Sequence, residues 1–379
     1  MTDARTASEV AWGRLLDDLR AAGETVIGPL GATTDRERAE GFRHLLRLLS
    51  LAGEQYLEKG DTARPQFTRW ANPHRKAYGD NPQTHYDAAN IDPALTYRLR
   101  GNRGTCGYLG ICIYATSDDG SRSIVGNLDD TDLRIAADGS FEVVLSATRP
   151  DNAGDVDWLG LSSQTTDVMV RQYFIDRDQE VDATYTLTAE PDAGIAPPLD
   201  EATLVARLAQ VGAWVTETIE VESTLSALMA MATPGLLRAG DQYVEGDGSH
   251  AAPPIDPAVV QKAMPTPAIQ YTGSWFDDLG DDEALVVSGV APTCRYWSIQ
   301  LLTRWMESGD WTSHACFLTG RTIKVDADGR FRVVVAHRNP GGVDWLDTTG
   351  LRSASVAMRA LGSAELLDVT FTREKLPQA

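Results

Sequence analysis

The sequence lacks the long apolar runs and the catalytic signatures that reveal the function of many proteins. No stretch of about 18 apolar residues occurs, which argues against a membrane-spanning helix, and the first residues lack the basic start and apolar run of a secretory signal. No GxSxG elbow, GxxxxGK(S/T) loop, GxGxxG turn or HExxH helix is found. Nucleotide-driven chemistry and standard serine hydrolysis are therefore disfavoured, and a cytoplasmic location is expected.

Basic residues are also few. Lys and Arg number 34 against 54 Asp and Glu, which gives a net charge of −20. An acidic surface repels phosphate backbones and anionic lipids, so neither nucleic acid nor a membrane is an expected partner. The 379 residues, of which 42% are hydrophobic, are enough to bury a sizeable core in two or three domains.

What the chain does have is an internal repeat. Three blocks occur twice and in the same order, namely TCGYLGICIY and TCRYWSIQLL (105–114 and 293–302), ADGSFEVVLS and ADGRFRVVVA (137–146 and 327–336), and VDWL (156–159 and 343–346). The two copies are offset by 188, 190 and 187 residues. A nearly constant offset indicates that a whole folding unit is repeated. We predict a mainly β (α+β) protein with two related β-sandwich-like halves and helical additions.

The four cysteines show neither a CxxC pair nor a zinc-binding spacing. Cys106 and Cys294 occupy the same place in the two repeats, as expected for small buried hydrophobic residues. His314 lies close to Cys316, but two ligands without a third make a weak metal site. No metal and no cofactor is therefore expected.

The organisation that we predict along the chain has four parts. They are an N-terminal helical segment (1–60), a first β-rich repeat with an ordered loop (61–190), a linker with bridging helices (191–268) and a second β-rich repeat (269–379). The stretch 61–92 is rich in Pro, Asn and Gly, which predicts a loop, and its aromatic residues indicate that the loop is ordered. The stretch 236–268 is predicted as loop only.

Helix signals are clear at several positions. The first helix is predicted to stop at Gly23, and Thr34 with Glu37 forms a capping box for a second helix that closes at Gly60. The apolar face of this second helix is predicted to contain Phe42, Leu45, Leu46, Leu49, Ala52 and Tyr56. Asp200 is a good N-cap for a bridging helix over 204–219, with a second helix from Leu225. Strands of the first repeat are predicted at 94–100, 105–115, 140–147, 166–174 and 181–189.

These residues carry a resemblance to a known family. The matching motifs are DxARPxF (Asp61–Phe67), GDNPxxxY (Gly79–Tyr86), RLRG (Arg98–Gly101), ADGSF (Ala137–Phe141), DWL (Asp157–Leu159) and RQYFxDxD (Arg171–Asp178). In this order they resemble the bacterial domain-of-unknown-function family 1214, which is often found beside family 1254. The resemblance covers roughly 35–190, and it implies β-sandwich-like domains with helical additions but no agreed activity.

Features shared by both halves are best explained by folding. The Asp157–Trp158 and Asp344–Trp345 pairs favour a structural role, in which the aromatic ring is buried and the aspartate binds nearby amides. Arg171 recurs as Arg359. An arginine between apolar neighbours needs a partner such as a carboxylate, which either the protein or a substrate can supply.

Polar residues found only in the first half are better candidates for a site. The predicted catalytic residues are His85, Asp87, Tyr173 and Asp176. The predicted substrate-binding residues are Asp80, Asn81, Tyr86, Arg98, Arg100, Arg171, Trp297 and Trp305. If the first-half residues converge, they form a polar pocket suited to acid–base work on an oxygen-rich substrate. The alternative is a solvated loop held by salt bridges.

The second half concentrates aromatic residues, of which Trp297 and Trp305 are the candidates for ligand binding. Their rings are able to stack on sugars or line an apolar pocket, but sandwich cores also use tryptophan. The function expected is cofactor-free acid–base catalysis, hydrolysis or elimination, on a small polyhydroxylated or aromatic molecule. The alternative is a non-catalytic small-molecule or carbohydrate binding protein, or a self-association module that forms a homo-oligomer.

Overall fold

The computed structural model describes residues 5–117, 122–151, 154–231, 235–238, 262 and 264–376. Its contacts divide the chain into two compact units. The N-terminal unit consists of Met1–Arg75 and Gln83–Glu220, and the C-terminal unit of Lys76–Pro82 and Val221–Ala379. The predicted loop over 236–268 lies mostly outside the described residues.

The described helices are α1 (Ala7–Ile27), α2 (Asp35–Ala52), a π-helical turn (Gly53–Glu58) and α3 (Glu201–Met231). The predicted capping box of Thr34 and Glu37 is confirmed at the start of α2. Asp200 caps α3 as predicted, because its carboxylate accepts from the Thr203 amide at 2.7 Å. In the N-terminal unit, α3 packs on the π-helical turn, where Trp214 contacts the ring of Tyr56.

Three helix predictions are wrong. Helix α1 continues through Gly23 to Ile27, because the flanking Ala22 and Val26 are fully buried and offset the low helix propensity of glycine. The predicted apolar face of α2 is rotated, since Phe42 and Leu46 are exposed. The bridging segment is one helix and not two.

The N-terminal unit contains two β-sheets. Its strands are β1 (Thr68–Arg69), β2 (Thr84–Asn90), β3 (Thr96–Asn102), β4 (Tyr108–Thr116), β5 (Arg122–Asp129), β6 (Ser140–Ser146), β7 (Asp157–Gly160), β8 (Thr165–Tyr173) and β9 (Thr184–Glu190). The first sheet has the order β1-β2-β8-β4-β5 and the second β7-β6-β3-β9. Leu109 and Val168 of the first sheet share a buried core with Leu99 and Val143 of the second. Alternate residues of each strand thus point into the sandwich or away from it.

The C-terminal unit repeats this plan. Its strands are β10 (Gly235–Arg238), β11 (Ile269–Phe276), β12 (Glu283–Val290), β13 (Tyr296–Leu302), β14 (Phe317–Thr319), β15 (Arg330–Ala336), β16 (Asp344–Asp347), β17 (Ala354–Leu361) and β18 (Val369–Lys375). The sheet orders are β10-β11-β17-β13-β14 and β16-β15-β12-β18. Ile299 and Val356 meet Val287 and Val333 in the core. The chain is therefore mainly β with helical additions and has two repeated halves, as predicted.

The aspartates of the repeated Asp-Trp pairs have the structural role expected of them, whereas Trp158 and Trp345 are only partly buried. Asp157 accepts a hydrogen bond from the Arg134 amide at 2.7 Å, and Asp344 accepts one from the Lys324 amide at 2.6 Å. Each aspartate begins a short strand, β7 or β16, that runs parallel to its neighbour. This equivalence fixes the alignment of the two halves.

No helix in the described part of the chain combines the length and the hydropathy needed to cross a membrane. All four cysteines are free thiols. Cys106 is buried in the N-terminal core, and Cys294 packs partly buried against the C-terminal core, in agreement with their predicted role.

Candidate functional site

Strand β2 carries three of the predicted site residues inside what the sequence indicated to be a loop. His85 and Asp87 lie on one face of the strand and Tyr86 on the other, because side chains alternate along a strand. Strand β2 lies between β1 and β8 in the first sheet. The three residues therefore belong to two different environments.

Asp87 forms the centre of a buried polar group. Both oxygens of its carboxylate accept from the Arg69 guanidinium, with one Nη2–Oδ2 distance of 2.9 Å. The Tyr185 hydroxyl donates to Asp87 Oδ2 at 2.6 Å, and the same hydroxyl accepts from Gln172 Nε2 at 3.1 Å. Burial, followed by the Asp87 charge, raises the pKa of Tyr185, which holds its proton on the bond to Asp87. The Asp87 carboxylate is thus hydrogen-bonded by Arg69 and Tyr185 of the protein itself.

His85 lies next to this group and contacts two charged side chains. Its Nε2 contacts the Arg177 guanidinium, and its Nδ1 lies 3.3 Å from Asp182 Oδ2. The imidazole packs edge-on against Phe174, with ring centroids 5.0 Å apart. Burial, together with the charges of Arg69 and Arg177, lowers the pKa of His85 to about 3. The ring is neutral near pH 7, where a base of such low pKa accepts protons weakly.

The opposite face of the sheet buries Arg171 and Tyr173. Arg171 is 2% exposed, and its guanidinium contacts Cys112 Sγ at 3.0 Å and the Tyr114 hydroxyl. The ring of Tyr173 packs edge-on against Tyr86 and Tyr108, with centroids 6.4 and 5.8 Å apart. Thus Arg171 and Tyr173 pack in the interior of the unit. Asp176 follows β8, in a turn where its carboxylate accepts from the Asp178 amide at 3.3 Å.

Arg98 and Arg100 lie on the second sheet and face away from the core. Arg98 bridges Glu142 and Glu190, with an Nε–Oε1 distance of 2.5 Å to Glu190. Arg100 donates from Nε to Glu142 Oε2 at 2.9 Å. Hydrogen bonds from Arg100 lower the pKa of Glu142 despite its partial burial. We call these four side chains, Arg98, Arg100, Glu142 and Glu190, the charge ladder.

Asp80 and Asn81 belong to the C-terminal unit. They lie in the segment Lys76–Pro82, which we call the strap. Asp80 accepts from the Ser308 amide at 2.8 Å and from the Ser308 hydroxyl at 2.7 Å. Asn81 donates to the Tyr296 hydroxyl at 3.0 Å. Both residues are buried, so their polar groups anchor the strap within its own unit.

The strap is held on the first sheet of the C-terminal unit by further polar contacts. Gln300 Nε2 donates to the Asp80 carbonyl at 2.8 Å, and the Arg359 guanidinium donates to the Gly79 carbonyl and to the Gln300 side chain. Lys76 Nζ donates to the carbonyls of Ser308 and Gly309, each at 2.8 Å. Arg359, the repeat equivalent of Arg171, thus binds the backbone of the strap.

The two candidate tryptophans are core residues. Trp305 is fully buried, and Trp297 packs against Phe331 with ring centroids 5.0 Å apart. Gly320 makes this packing possible, because a Cβ at that position would lie 2.1 Å from Trp297 Nε1. Neither ring lies on the surface.

The first-half candidates in the N-terminal unit therefore fall into three main groups. His85 and Asp87 share one cluster, Tyr86, Arg171 and Tyr173 share the opposite face of the same sheet, and Arg98 and Arg100 lie on the other sheet. Sequence reasoning missed Arg69, Arg177, Asp182 and Tyr185, which contact the predicted residues. Arg177 lies within the RQYFIDRD motif, so the motif itself was a usable signal.

A groove of about 630 Å³ runs beside the edge strand β9 of the N-terminal unit. It is lined by Ala63–Gln66 on one side and by Leu187–Asp192 on the other. Glu190 lines the groove and also pairs with Arg98, which places the charge ladder next to it. Sequence reasoning did not find this groove, because its two walls are more than 120 residues apart in the chain.

One wall of the groove is fixed by Arg64. Its Nη1 binds Asp61 Oδ2 at 2.8 Å, and its other nitrogens donate to three consecutive backbone carbonyls, Ala193, Gly194 and Ile195, at 2.7 to 2.9 Å. Both sides of the groove are thereby joined before any ligand binds. Such preorganisation lowers the entropy cost of binding.

The described residues contain no group of three or more His, Cys, Asp or Glu side chains arranged to hold a metal ion. His314 Nδ1 lies 2.8 Å from Asp347 Oδ2. Cys316 is buried in the core, and burial raises its pKa to about 12. A thiol of such high pKa is a poor metal ligand, since metals bind the thiolate.

Comparison with known proteins identifies relatives of this chain. The model of the family described as "Protein of unknown function (DUF1214)" matches residues 81–175 and 282–365, one region in each half. The crystal structure of an uncharacterized protein from Burkholderia cenocepacia is 31% identical, with a TM-score of 0.86 and 97% of each chain covered. A protein from Vibrio parahaemolyticus is 14% identical, with a TM-score of 0.48 over 94% of this chain and 100% of that one. No protein with a curated description matches the sequence.

Proposed function

We propose that this chain, which belongs to the DUF1214 family, binds a small polyhydroxylated molecule in the groove beside β9. The observation that carries the proposal is the groove itself. Its volume of about 630 Å³ lies within the range of roughly 300 to 1,000 Å³ that is usual for small-molecule sites. Binding without chemical conversion is the function that its lining supports best.

The lining of the groove matches a sugar-like molecule. Ala63, Pro65 and Pro191 provide apolar surface for C–H groups, whereas the side chains of Leu187 and Ala189 are buried in the core below the groove. Thr188 and Glu190 have side chains that face the solvent, and they offer a hydroxyl and a carboxylate to ligand hydroxyl groups. None of the described residues that line the groove is aromatic, so a polyhydroxylated ligand is favoured over an aromatic one.

Cofactor-free acid–base catalysis, by hydrolysis or elimination, stays a prediction. The observation in its favour is the arrangement of His85 between Asp182 and Arg177. The low pKa of His85 and the protein contacts of Asp87 weaken this case. We regard catalysis as the second candidate.

Isothermal titration calorimetry with a panel of neutral mono- and disaccharides tests the binding proposal. Glu190→Gln should lower the affinity for the sugar, because a neutral amide accepts weaker hydrogen bonds than a carboxylate does. Glu374→Gln is the matched control, since Glu374 holds the equivalent edge-strand position and pairs with Arg332 at 2.8 Å. Mass spectrometry of each bound sugar distinguishes binding from conversion. No binding by any sugar, or equal loss in both variants, would reject the proposal.

We further propose a cytoplasmic location. The four free cysteines support it, because disulfides are rare in reducing compartments. Quantifying the protein in separated cell fractions tests this proposal, and recovery outside the cytoplasmic fraction would contradict it.

A further inference from the structure

We propose that a second groove, on the outer face of the second sheet of the C-terminal unit, binds a sugar acid. The groove has a volume of about 530 Å³ and is lined by residues of β12, β15, β16 and β18 and of the turn before β15. It is separate from the groove beside β9, because all its lining residues belong to the other unit. The inference therefore goes beyond the proposed function and does not depend on it.

Two positions of the charge ladder carry other residues in the second half, and both of these residues line the groove. Strand pairing aligns Arg100 with Ser288 and Glu142 with Arg332, since each pair lies opposite in its own sheet. A small serine in place of a long arginine leaves open space on this face. Arginine in place of glutamate reverses the charge at the adjacent position. Features found in only one half are freer to serve a site. On this face the two halves differ in both the size and the charge of their side chains.

Three basic side chains line the groove, and they suit a carboxylate. Lys324 and Arg330 are exposed, and the contacts that fix their backbones are made by Asp344 and Asp326. Arg332 donates from Nη2 to Glu374 and retains further N–H groups, because a guanidinium has five donors. Arginine binds a carboxylate through paired hydrogen bonds, so the acid group of the ligand belongs at this end.

The remaining lining indicates which anion fits. Ser288 Oγ and Thr370 Oγ1 lie 3.0 Å apart and are able to bind a ligand hydroxyl. Asp326, Asp344 and Asp368 also line the groove, and their carboxylates accept from hydroxyl groups but repel a dianion. A singly charged ligand with several hydroxyls satisfies both sets of groups. A sugar acid has this chemistry, whereas inorganic phosphate and neutral sugars each lack part of it.

Titration of the full chain with D-glucuronate, followed by calorimetry at low salt, tests the proposal. We expect saturable binding of D-glucuronate that Ser288→Arg abolishes, with D-glucose and inorganic phosphate binding to this groove at least roughly tenfold more weakly because each loses a charge-assisted contact or a hydroxyl contact. Absence of D-glucuronate binding would overturn the proposal. Preferential binding of phosphate would overturn the assignment to a sugar acid.

Two variants locate the site. Ser288→Arg restores the residue of the first half and should abolish binding by filling the groove, and Arg330→Gln should weaken binding roughly tenfold by removing one charge. Arg134→Gln is the control for loss of a surface arginine, because Arg134 lies in the first half, at the position equivalent to Lys324. Binding of D-glucuronate that Ser288→Arg leaves unchanged would instead place the ligand outside this groove and overturn the proposal. If Arg330→Gln, whose side chain is exposed, binds D-glucuronate as tightly as the original chain, the proposal is wrong.

Discussion

The two halves of the chain share a fold but use equivalent positions differently. Arg171 and Arg359 occupy the same place on the central strands β8 and β17, and both are buried. Arg171 contacts Cys112 and Tyr114, whereas Arg359 contacts Gln300 and the Gly79 carbonyl of the strap. The same buried cation thus stabilises side-chain packing in one half and an added backbone segment in the other.

The second sheets of the two units differ on their outer faces. In the N-terminal half, the outer face is closed by the charge ladder, and in the C-terminal half the equivalent face carries a groove. The difference teaches that repeated core positions report on folding, while outward positions diverge and provide candidate sites. Substitutions at equivalent positions of the two halves therefore test this comparison directly.

The buried arginines should matter most for stability. Arg359→Met leaves the oxygens of Gly79 and Gln300 buried without this donor, and we expect a loss of about 3 kcal/mol in the free energy of unfolding. Arg171→Met should cost less, because the Tyr114 hydroxyl is itself a donor and the Cys112 sulfur is a weak acceptor. Urea denaturation measures both losses. An Arg359→Met loss no larger than that of the surface variant Arg332→Met would contradict the role of Arg359 in holding the strap.

A second difference lies at the end of β13. Trp297 takes the place of Leu109, and Gly320 takes the place of Asp130, as their equivalent backbone hydrogen bonds show. Gly320→Ala should destabilise the protein by about 1 to 3 kcal/mol, because the new methyl group overlaps Trp297. Trp297→Leu in the same chain should relieve this overlap. A double-mutant cycle with no coupling between the two changes would show that the glycine has another role.

Sequence reasoning succeeded where neighbouring residues determine the structure. The repeat blocks, the capping box of Thr34 and Glu37 and the role of Asp157 and Asp344 all depend on contacts within a short segment or on direct duplication. It failed for β2, because THYDAAN lacks strand-forming alternation and lies among Pro and Asn residues. It also split α3 in two, because buried Thr218 and Glu222 interrupt the apolar pattern.

The placement of the candidate residues was beyond local reasoning. Asp80 and Ser308 are 228 positions apart, and nothing in the GDNP motif indicates that its aspartate binds a distant amide. Similarly, His85 and Asp182 meet only because β2 pairs with β8, whose following turn leads into β9. Long-range pairing of this kind is determined by topology and not by the spacing of residues along the chain.

Acid should destabilise the N-terminal half through His85. The folded pKa of about 3 lies below the ordinary value of 6.5, so the unfolded state binds a proton first. The stability that the neutral His85 ring contributes to the folded state is complete above pH 6.5 and is lost as the pH falls toward 3. His85→Gln introduces the residue found at the equivalent position of the other half, Gln270, and should flatten the melting temperature between pH 6.5 and 4. An unchanged pH dependence in this variant would mean that other groups control acid unfolding.

The smallest effect is expected from the charge ladder. The Arg100 side chain is 54% exposed, and exposed ion pairs typically contribute less than about 1 kcal/mol. Arg100→Ser should therefore change the free energy of unfolding by no more than this amount, and the change should decrease further at high salt. A loss above about 2 kcal/mol would show that the ladder supports the sheet. If Arg100→Ser is as stable as the original chain, a serine at this position costs little stability. The second half, which has Ser288 there, was then able to lose the arginine without a penalty. Divergence of the two outer faces requires this condition.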